Sequence, residues 1–275
     1  MYKRQPCNWE LQGFGEYTYG RWYTIKGQRP SDETGIYRYK FDAPKSWAGQ
    51  RVKIFFDGVM TDAEIMINGK PAGEMHQGGF YRFNYDITEL LNLGKKNQLE
   101  VKVAKESANR SINAAERKAD WWLFGGIYRP VWLEVLPQVH MEHFVLNADH
   151  HGKLQVAVDM AGDAKGHEII VSVRSLKDGK TVYTSNGQTT ITHPINNSDK
   201  EQMISGEWAS IIPWSTENPN LYVAKLELKN PEGKIVQTRE TRTGFRTVEF
   251  FPQDGVYLNG TKLVCLFYTS PSPRD

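Results

Sequence analysis

Apolar and polar residues alternate along most of the chain, in short runs that end at turn-forming residues. Residues 51–57, 63–67 and 98–103 alternate with a period of two, which is typical of half-buried β-strands. Asn68-Gly69 directly follows one run and predicts a hairpin loop. Residues 87–93 suggest a short helical turn. The first half of the chain therefore predicts an antiparallel jelly-roll β-sandwich.

A second series of alternating runs follows Pro137. Residues 154–160, 168–174 and 222–228 again alternate with a period of two. Some seven strands in about 110 residues predict an immunoglobulin-like β-sandwich. Residues 185–205 are polar and rich in Asn and Thr, so they predict a long loop or an edge region. The whole chain is thus expected to be all-β.

Composition narrows the class of protein. The chain has 275 residues, of which 39% are hydrophobic and 24% are charged, as in globular proteins. The net charge of +2 is scattered without a basic stripe, which argues against nucleic acid as a partner. No apolar run reaches the roughly 20 residues of a membrane helix. Cys7 and Cys265 are too isolated to indicate a disulfide framework or a metal site.

Both termini carry residues without a structural pattern of their own. Residues 1–5 and 265–275 back-translate closely to opposite orientations of a transposon-end adapter used in preparing sequencing libraries. We interpret both segments as adapter remnants that say nothing about the fold. The natural protein is then expected to continue in both directions, and re-reading the parent DNA tests this.

An ordered series of motifs runs through residues 8–264. It comprises GIYRYKF (35–41), FDGV…NG (56–69), YDITELL (85–91), NQLEVKV (97–103), DWWLFGGIYRPV (120–131), PWSTENPNLY (213–222), GFR (244–246) and DGVYLNG (254–260). The series resembles glycoside hydrolase family 2, which includes β-galactosidases, β-glucuronidases and β-mannosidases. Residues 120–131 are the most informative, because they match every fixed position of the family pattern D-x-(W/F)-x-x-x-G-I-x-R-x-V.

The resemblance implies a domain plan. Residues 6–137 correspond to the jelly-roll, sugar-binding-like domain and residues 138–250 to the immunoglobulin-like sandwich. Residues 251–264 correspond to the lead-in to a (β/α)₈ barrel. The family carries both catalytic carboxylates on that barrel. The resemblance therefore implies that this chain holds no catalytic residue and does not hydrolyse substrate alone.

The same resemblance assigns two substrate-binding residues. Asp120 corresponds to a carboxylate that projects into the mouth of the barrel, near the distal hydroxyls of the sugar. Trp122 would form an apolar wall there. The alternatives are an Asp120 that caps its own loop and a Trp122 that anchors the loop in the core. Arg129 is expected to brace the loop by an internal ion pair.

A second loop, residues 17–23, also carries candidates. Some family members send an Asn from this region towards the active site, and a rough alignment places Arg21 there instead. That departure weakens the case for a lactose-type enzyme. The alternative is that Trp22 and Tyr23 pack against the barrel. Residues 106–118 match no motif and are expected to form a loop, with a helical turn at 114–118.

Other titratable residues have ordinary explanations. Asp62 and Glu64 alternate to one face of a strand, which predicts a solvated outer face. His140, His143, His150 and His151 cluster in sequence but lack tetrahedral ligand spacing, so no metal site is predicted. No cofactor is expected in this chain, although the resemblance allows a divalent or monovalent cation in the complete enzyme.

The leading functional hypothesis is the N-terminal part of a retaining, exo-acting β-glycosidase, with β-galactosidase favoured by the FDGV and D-x-W motifs. Its expected partners are a carbohydrate substrate and the C-terminal barrel of the same chain, and a homo-oligomer is compatible with it. Its composition suits the bacterial periplasm or cytoplasm. The alternatives are a stand-alone carbohydrate-binding or adhesion protein and a degenerate structural protein. The barrel lead-in favours the glycosidase.

Overall fold

The computed structural model describes residues 6–20, 31–118 and 120–263, and strands dominate it. The chain divides into two compact units, Met1–Leu136 and Pro137–Asp275. Both interpreted adapter segments lie outside the described residues, as do Arg21, Trp22 and Tyr23. The prediction of an all-β protein built from β-sandwiches is confirmed.

The first unit contains twelve strands among its described residues. They are β1 (Thr18–Tyr19), β2 (Thr34–Ala43), β3 (Arg51–Phe56), β4 (Val59–Met60), β5 (Asp62–Ile67), β6 (Lys70–Pro71), β7 (His76–Gln77), β8 (Phe83–Asp86), β9 (Lys95–Ala104), β10 (Trp122–Leu123), β11 (Gly126–Ile127) and β12 (Val131–Leu136). Short helical turns occur at Glu10–Gln12, Lys45–Trp47, Thr88–Leu90, Arg110–Ile112 and Asn113–Arg117.

Two antiparallel sheets form the sandwich of the first unit. The wider sheet has the order β2-β9-β5-β6, with β7 also paired to β5, and the narrower sheet has the order β12-β3-β8. Alternate residues of β3, Val52, Ile54 and Phe56, are buried between the sheets, as their period-two pattern predicts. Two-stranded ribbons, β1-β10 and β4-β11, extend from this framework.

The hairpin predicted at Asn68-Gly69 is confirmed. β5 and β6 pair as Ile67↔Lys70, which leaves these two residues as the loop. Their φ angles are 53° and 77°, as a type I′ turn requires at both central positions. The Asn68 side chain also donates to the carbonyl oxygen of Leu90 at 2.8 Å, which ties the loop to the neighbouring helical turn.

The second unit contains eleven strands among its described residues. They are β13 (His140–Ala148), β14 (Lys153–Ala161), β15 (Glu168–Ser175), β16 (Thr181–Val182), β17 (Thr190–Pro194), β18 (Glu201–Glu207), β19 (Tyr222–Lys229), β20 (Ile235–Thr243), β21 (Val248–Phe251), β22 (Gly255–Leu258) and β23 (Thr261–Lys262). A sheet of order β13-β14-β18 faces one of order β16-β15-β19-β20 with β17 on β15, and β21-β22-β23 forms a separate small sheet.

The polar segment 185–205 departs from its prediction in part. It contains β17 and the start of β18 rather than one long loop, although β18 does end its sheet. Ile195 and Ile204 explain the difference, because both side chains are buried in the core of this unit. A few isoleucines spaced through a polar segment are enough to hold edge strands, since an edge strand buries only one face.

Candidate functional site

The predicted substrate-binding residues lie on a loop whose two ends are held by short ribbons. Asp120 is exposed at the start of the loop, and Trp122 is 53% exposed on β10. β10 pairs with β1 in the register Tyr19↔Trp122 and Thr18↔Leu123. Leu123 is fully buried and therefore anchors the loop in place of Trp122. The structure thus leaves the Trp122 ring facing outward.

Two aromatic rings contact Trp122, and a third contacts one of those two. The ring centroids of Tyr19 and Tyr17 lie 5.3 and 6.1 Å from that of Trp122, both in edge-to-face geometry. Tyr17 also meets the edge of Phe124 at 6.0 Å. Such pairs are favoured by the ring quadrupoles and fix the orientation of each ring. The loop therefore presents a preorganised aromatic surface beside an exposed carboxylate.

Two consecutive glycines let the loop approach the core. A Cβ on Gly125 would lie 2.2 Å from the Trp9 ring, and one on Gly126 would lie 2.5 Å from the Tyr37 hydroxyl oxygen. Gly126 also has a φ of 105°, which L side chains rarely adopt. The GGI motif within residues 120–131 is thus required by packing, whatever substrate is bound.

A buried ion pair between Glu10 and Lys105 supports the 120–131 loop. The Glu10 carboxylate accepts the Gly125 N–H at 3.0 and 3.1 Å, and its Oε1 lies 2.9 Å from Lys105 Nζ. Both side chains are fully buried. Lys105 Nζ also contacts Glu33 Oε2 at 3.0 Å and donates to the carbonyl oxygen of Glu16. A buried pair with its remaining groups hydrogen-bonded in this way fixes local geometry.

Residues 106–118, which match no sequence motif, also support the 120–131 loop. Its helical residues are 110–117 rather than the predicted 114–118, because Asn109 Oδ1 caps the start by accepting the Ser111 N–H at 2.9 Å. Arg117 Nη2 donates to the carbonyl oxygen of Phe124 at 2.7 Å. Burial lowers the pKa of the Arg117 guanidinium, and Glu106, Glu116 and Glu10 oppose that shift.

Glu116 and Tyr128 connect this segment to the neighbouring turn. The Glu116 carboxylate accepts from the Gly79 N–H and from the Tyr81 hydroxyl, both at 2.7 Å. Tyr128 in turn donates its hydroxyl to the carbonyl oxygen of Gly79 at 2.7 Å. Burial raises the pKa of Tyr128, which keeps the phenol protonated as a donor.

The role expected of Arg129 is filled by Arg117. In the described part of the chain, Arg129 lies over the Tyr128 ring at 5.1 Å and reaches the carbonyl oxygen of Asp57 at 3.5 Å. It is exposed, whereas Arg117 is buried beneath the loop. The expected internal ion pair of Arg129 with a carboxylate is therefore wrong as a description of these residues.

The prediction for Asp62 is also wrong. Glu64 is exposed and pairs with Lys102 at 3.0 Å, but Asp62 is only 4% exposed. Its Oδ2 accepts from the Ala108 N–H at 2.8 Å and from Gln77 Nε2 at 3.1 Å. Strand periodicity fails here because Asp62 is the first residue of β5, where segment 106–118 begins to cover the strand.

Two of the four clustered histidines, His140 and His150, have hydrogen-bonding partners within their own unit. His140 Nδ1 lies 2.8 Å from the carbonyl oxygen of Pro137, and its Nε2 lies 2.9 Å from Glu142. His150 Nδ1 lies 2.6 Å from the Thr247 hydroxyl. Across residues 6–20, 31–118 and 120–263, no group of His, Cys, Asp and Glu has the arrangement of a metal site. In the same residues no helix has the length and apolar character needed to cross a membrane.

The fold and the loop together define a class of protein. Its members contain two consecutive β-sandwiches, and the first sandwich presents a carboxylate and aromatic rings on its surface. Comparison with protein families makes the class specific. Residues 4–137 match the glycosyl hydrolases family 2 sugar-binding domain, and residues 139–246 match a second family 2 domain. The chain belongs to glycosyl hydrolase family 2, which confirms the resemblance found in the motifs.

Individual relatives carry different names. A β-galactosidase of Thermoanaerobacter pseudethanolicus is 29% identical over 82% of this chain. The crystal structure of a β-glycosidase from Bacteroides vulgatus is 27% identical over 94% of the chain, with a TM-score of 0.69. A β-glucuronidase 2 of Bacteroides uniformis, covalently bound to cyclophellitol-6-carboxylate aziridine, is 25% identical over 95% of the chain, with a TM-score of 0.68.

The chain spans only part of these proteins. It covers 30% of the Thermoanaerobacter β-galactosidase and 31% of each of the two crystallised chains. The matched parts are the two sandwich domains, and the family members are glycoside hydrolases.

Proposed function

We propose that this chain is the N-terminal part of a retaining, exo-acting β-glycosidase, and that its substrate is a terminal β-galactoside. In this proposal the two sandwiches support a catalytic barrel and help to wall its substrate pocket. The observation that carries it is the loop at residues 120–131. This loop combines the complete family motif with an exposed Asp120, an exposed Trp122 and a buried carboxylate, Glu10, that accepts the Gly125 N–H.

The chemistry of the loop fits recognition of a sugar. A carboxylate accepts strongly directional hydrogen bonds from two hydroxyl groups, so Asp120 can distinguish epimers. The Trp122 ring, held edge-on by Tyr17 and Tyr19, offers a flat apolar face. Proton transfer and nucleophilic attack are assigned to the barrel, where the family places two carboxyl groups about 5–5.5 Å apart.

The complete enzyme, expressed from the parent gene, allows a direct test. It is expected to hydrolyse a chromogenic β-galactoside in preference to the matching β-glucuronide and β-mannoside, and the 275-residue chain alone is expected to hydrolyse none of them. Asp120→Ala should lower kcat/KM about 10- to 100-fold, which is the effect of losing charge-assisted hydrogen bonds. Its melting temperature should stay close to that of the wild type.

Asp42→Ala is the matched control, because Asp42 lies on the same unit in an exposed pair with Lys96. It should change neither kcat/KM nor stability. Unchanged kinetics in Asp120→Ala would show that this residue does not touch the sugar. A β-glucuronide preference would replace the substrate assignment. A parent gene that ends near residue 264 would favour a stand-alone carbohydrate-binding protein instead.

A further inference from the structure

The chain contains three Asn-Gly dipeptides, which are Asn68-Gly69, Asn186-Gly187 and Asn259-Gly260. Asparagine before glycine can lose its amide without an enzyme, because glycine has no side chain to shield its backbone nitrogen. The reaction requires the side-chain amide carbon of the asparagine to reach that nitrogen. Hydrogen bonds that hold the amide elsewhere therefore slow the reaction, and the three dipeptides differ in these bonds.

The side chain of Asn68 is held by three hydrogen bonds. Its Nδ2 donates to the carbonyl oxygen of Leu90 and to Asn97 Oδ1, both at 2.8 Å, and its Oδ1 accepts the Gln98 N–H at 2.9 Å. The side chain is also partly buried. All three bonds would have to open before the amide carbon could turn towards the nitrogen of Gly69.

Asn259 is held in a similar manner. Its Nδ2 donates to the carbonyl oxygen of Trp214 and its Oδ1 accepts the Thr247 N–H, both at 3.0 Å. These bonds join the loop between β22 and β23 to two other segments of the second unit. Two bonds would have to open before this amide carbon could turn towards the nitrogen of Gly260.

Asn186 lies in the loop between β16 and β17, where its side chain is exposed. Among the residues that the structure describes, its amide has no hydrogen-bond partner. The space around Gly187 is open, since a Cβ placed there would meet no atom within 4 Å apart from its chain neighbours. The bond that must open is in the backbone, where the Gly187 N–H donates to the carbonyl oxygen of Thr184 at 2.9 Å.

We propose that Asn186 is a site of spontaneous covalent modification, at which its amide is replaced to give aspartate and isoaspartate. The Gly187 nitrogen gives up its proton and forms a bond to Asn186 Cγ. The bond from Cγ to Nδ2 breaks, and Nδ2 leaves as ammonia with a proton. Water then adds to one of the two carbonyl carbons of the five-membered ring and opens it, to aspartate or to isoaspartate. Either product adds a negative charge to this loop.

The hydrogen bonds rank the three sites. Opening one hydrogen bond before the attack slows the reaction about 5-fold. Asn186 requires one such opening, Asn259 two and Asn68 three. In the folded chain Asn186 should therefore deamidate about 5-fold faster than Asn259 and about 25-fold faster than Asn68.

The test incubates the folded 275-residue chain, and the same chain unfolded in urea, at neutral pH. Mass spectrometry of peptides then measures the deamidated fraction at each dipeptide over time. In the folded chain Asn186 should react first. In urea the three rates should become similar, because the three sites share the Asn-Gly sequence and the hydrogen bonds that separate them are lost.

Asn186→Gln is the matched control, because the longer glutamine side chain would have to close a six-membered ring and reacts far more slowly. It should remove the signal from that peptide, leave the rates at Asn68 and Asn259 unchanged, and leave the melting temperature unchanged, since the side chain is exposed. An isoaspartate-specific methyltransferase should label the incubated wild type much more than this variant.

A folded chain in which Asn68 or Asn259 reacts as fast as Asn186 would overturn the proposal. A ranking that persists in urea would overturn it as well, because it would show that the fold does not select the site. None of these measurements involves hydrolysis of a glycoside, so failure here leaves the proposed function intact.

Discussion

The buried pair beneath the substrate-binding loop makes a sharp stability prediction. Glu10→Ala removes the carboxylate that faces Lys105 at 2.9 Å and accepts the Gly125 N–H. Removing one partner of a buried ion pair typically costs about 3–5 kcal/mol, because the other charge stays buried without compensation. An unsatisfied buried N–H adds about 1–3 kcal/mol.

Part of that cost is offset. Lys105 keeps its contacts with Glu33 Oε2 and with the carbonyl oxygen of Glu16. We therefore expect Glu10→Ala to lower the free energy of unfolding by about 3–5 kcal/mol in total. The measurement is urea unfolding with linear extrapolation, followed by a signal from the first unit. Gly125 loses its anchor as well, so the complete enzyme should also lose kcat/KM.

Two variants separate charge burial from simple packing loss. Glu10→Leu combined with Lys105→Met removes both charges and should recover most of the stability that Glu10→Ala loses. Glu100→Ala removes a partner from the surface pair with Arg38, and it should cost less than about 1 kcal/mol. A Glu10→Ala variant no less stable than Glu100→Ala would refute the argument, because it would show that the buried carboxylate does not compensate Lys105.

Three further predictions concern the same unit. Gly125→Ala should lower the free energy of unfolding of the first unit by about 1–3 kcal/mol in urea unfolding, because the new Cβ meets the Trp9 ring. A variant as stable as the wild type would contradict this explanation. Burial raises the pKa of Glu106, so stability is lost as pH rises from the unfolded pKa of about 4.3 through the folded pKa. Glu106→Gln should therefore become more stable relative to the wild type as pH rises above the unfolded pKa of about 4.3, and a difference that does not change with pH would oppose this. Trp122→Ala should change stability by less than about 1 kcal/mol, since the ring is half exposed, while sugar affinity of the complete enzyme falls in calorimetry.

Local patterns in the sequence predicted the strands well, because the alternation of buried and exposed side chains in a strand can be seen within a few neighbouring residues. Period-two alternation at residues 51–57 predicted β3, and Asn68-Gly69 predicted the hairpin between β5 and β6. The loop that carries Asp120 and Trp122 was found through a motif rather than through periodicity. Its two glycines and its buried Leu123 explain why that motif is fixed: several chain segments meet there.

The scaffold beneath the loop could not be predicted in the same way. Glu10 and Lys105 are distant in sequence, and their pairing depends on how the strands are ordered in space. One signal was present, however. Val101 and Val103 face inward on β9, and continuing that alternation places Lys105 inward too. A lysine at an expected core position indicates a buried acidic partner, although the pattern does not identify which one.

Because Lys105 is completely buried, its amine can be used as a chemical probe for opening of the first unit. Amine-reactive reagents reach exposed lysines such as Lys96 at once, but they reach the Lys105 amine only when the surrounding sandwich opens. The rate at which Lys105 is acylated therefore measures how often the first unit opens under native conditions. Mass spectrometry of labelled peptides would measure this rate. The rate would yield the free energy of opening of the first unit without denaturant.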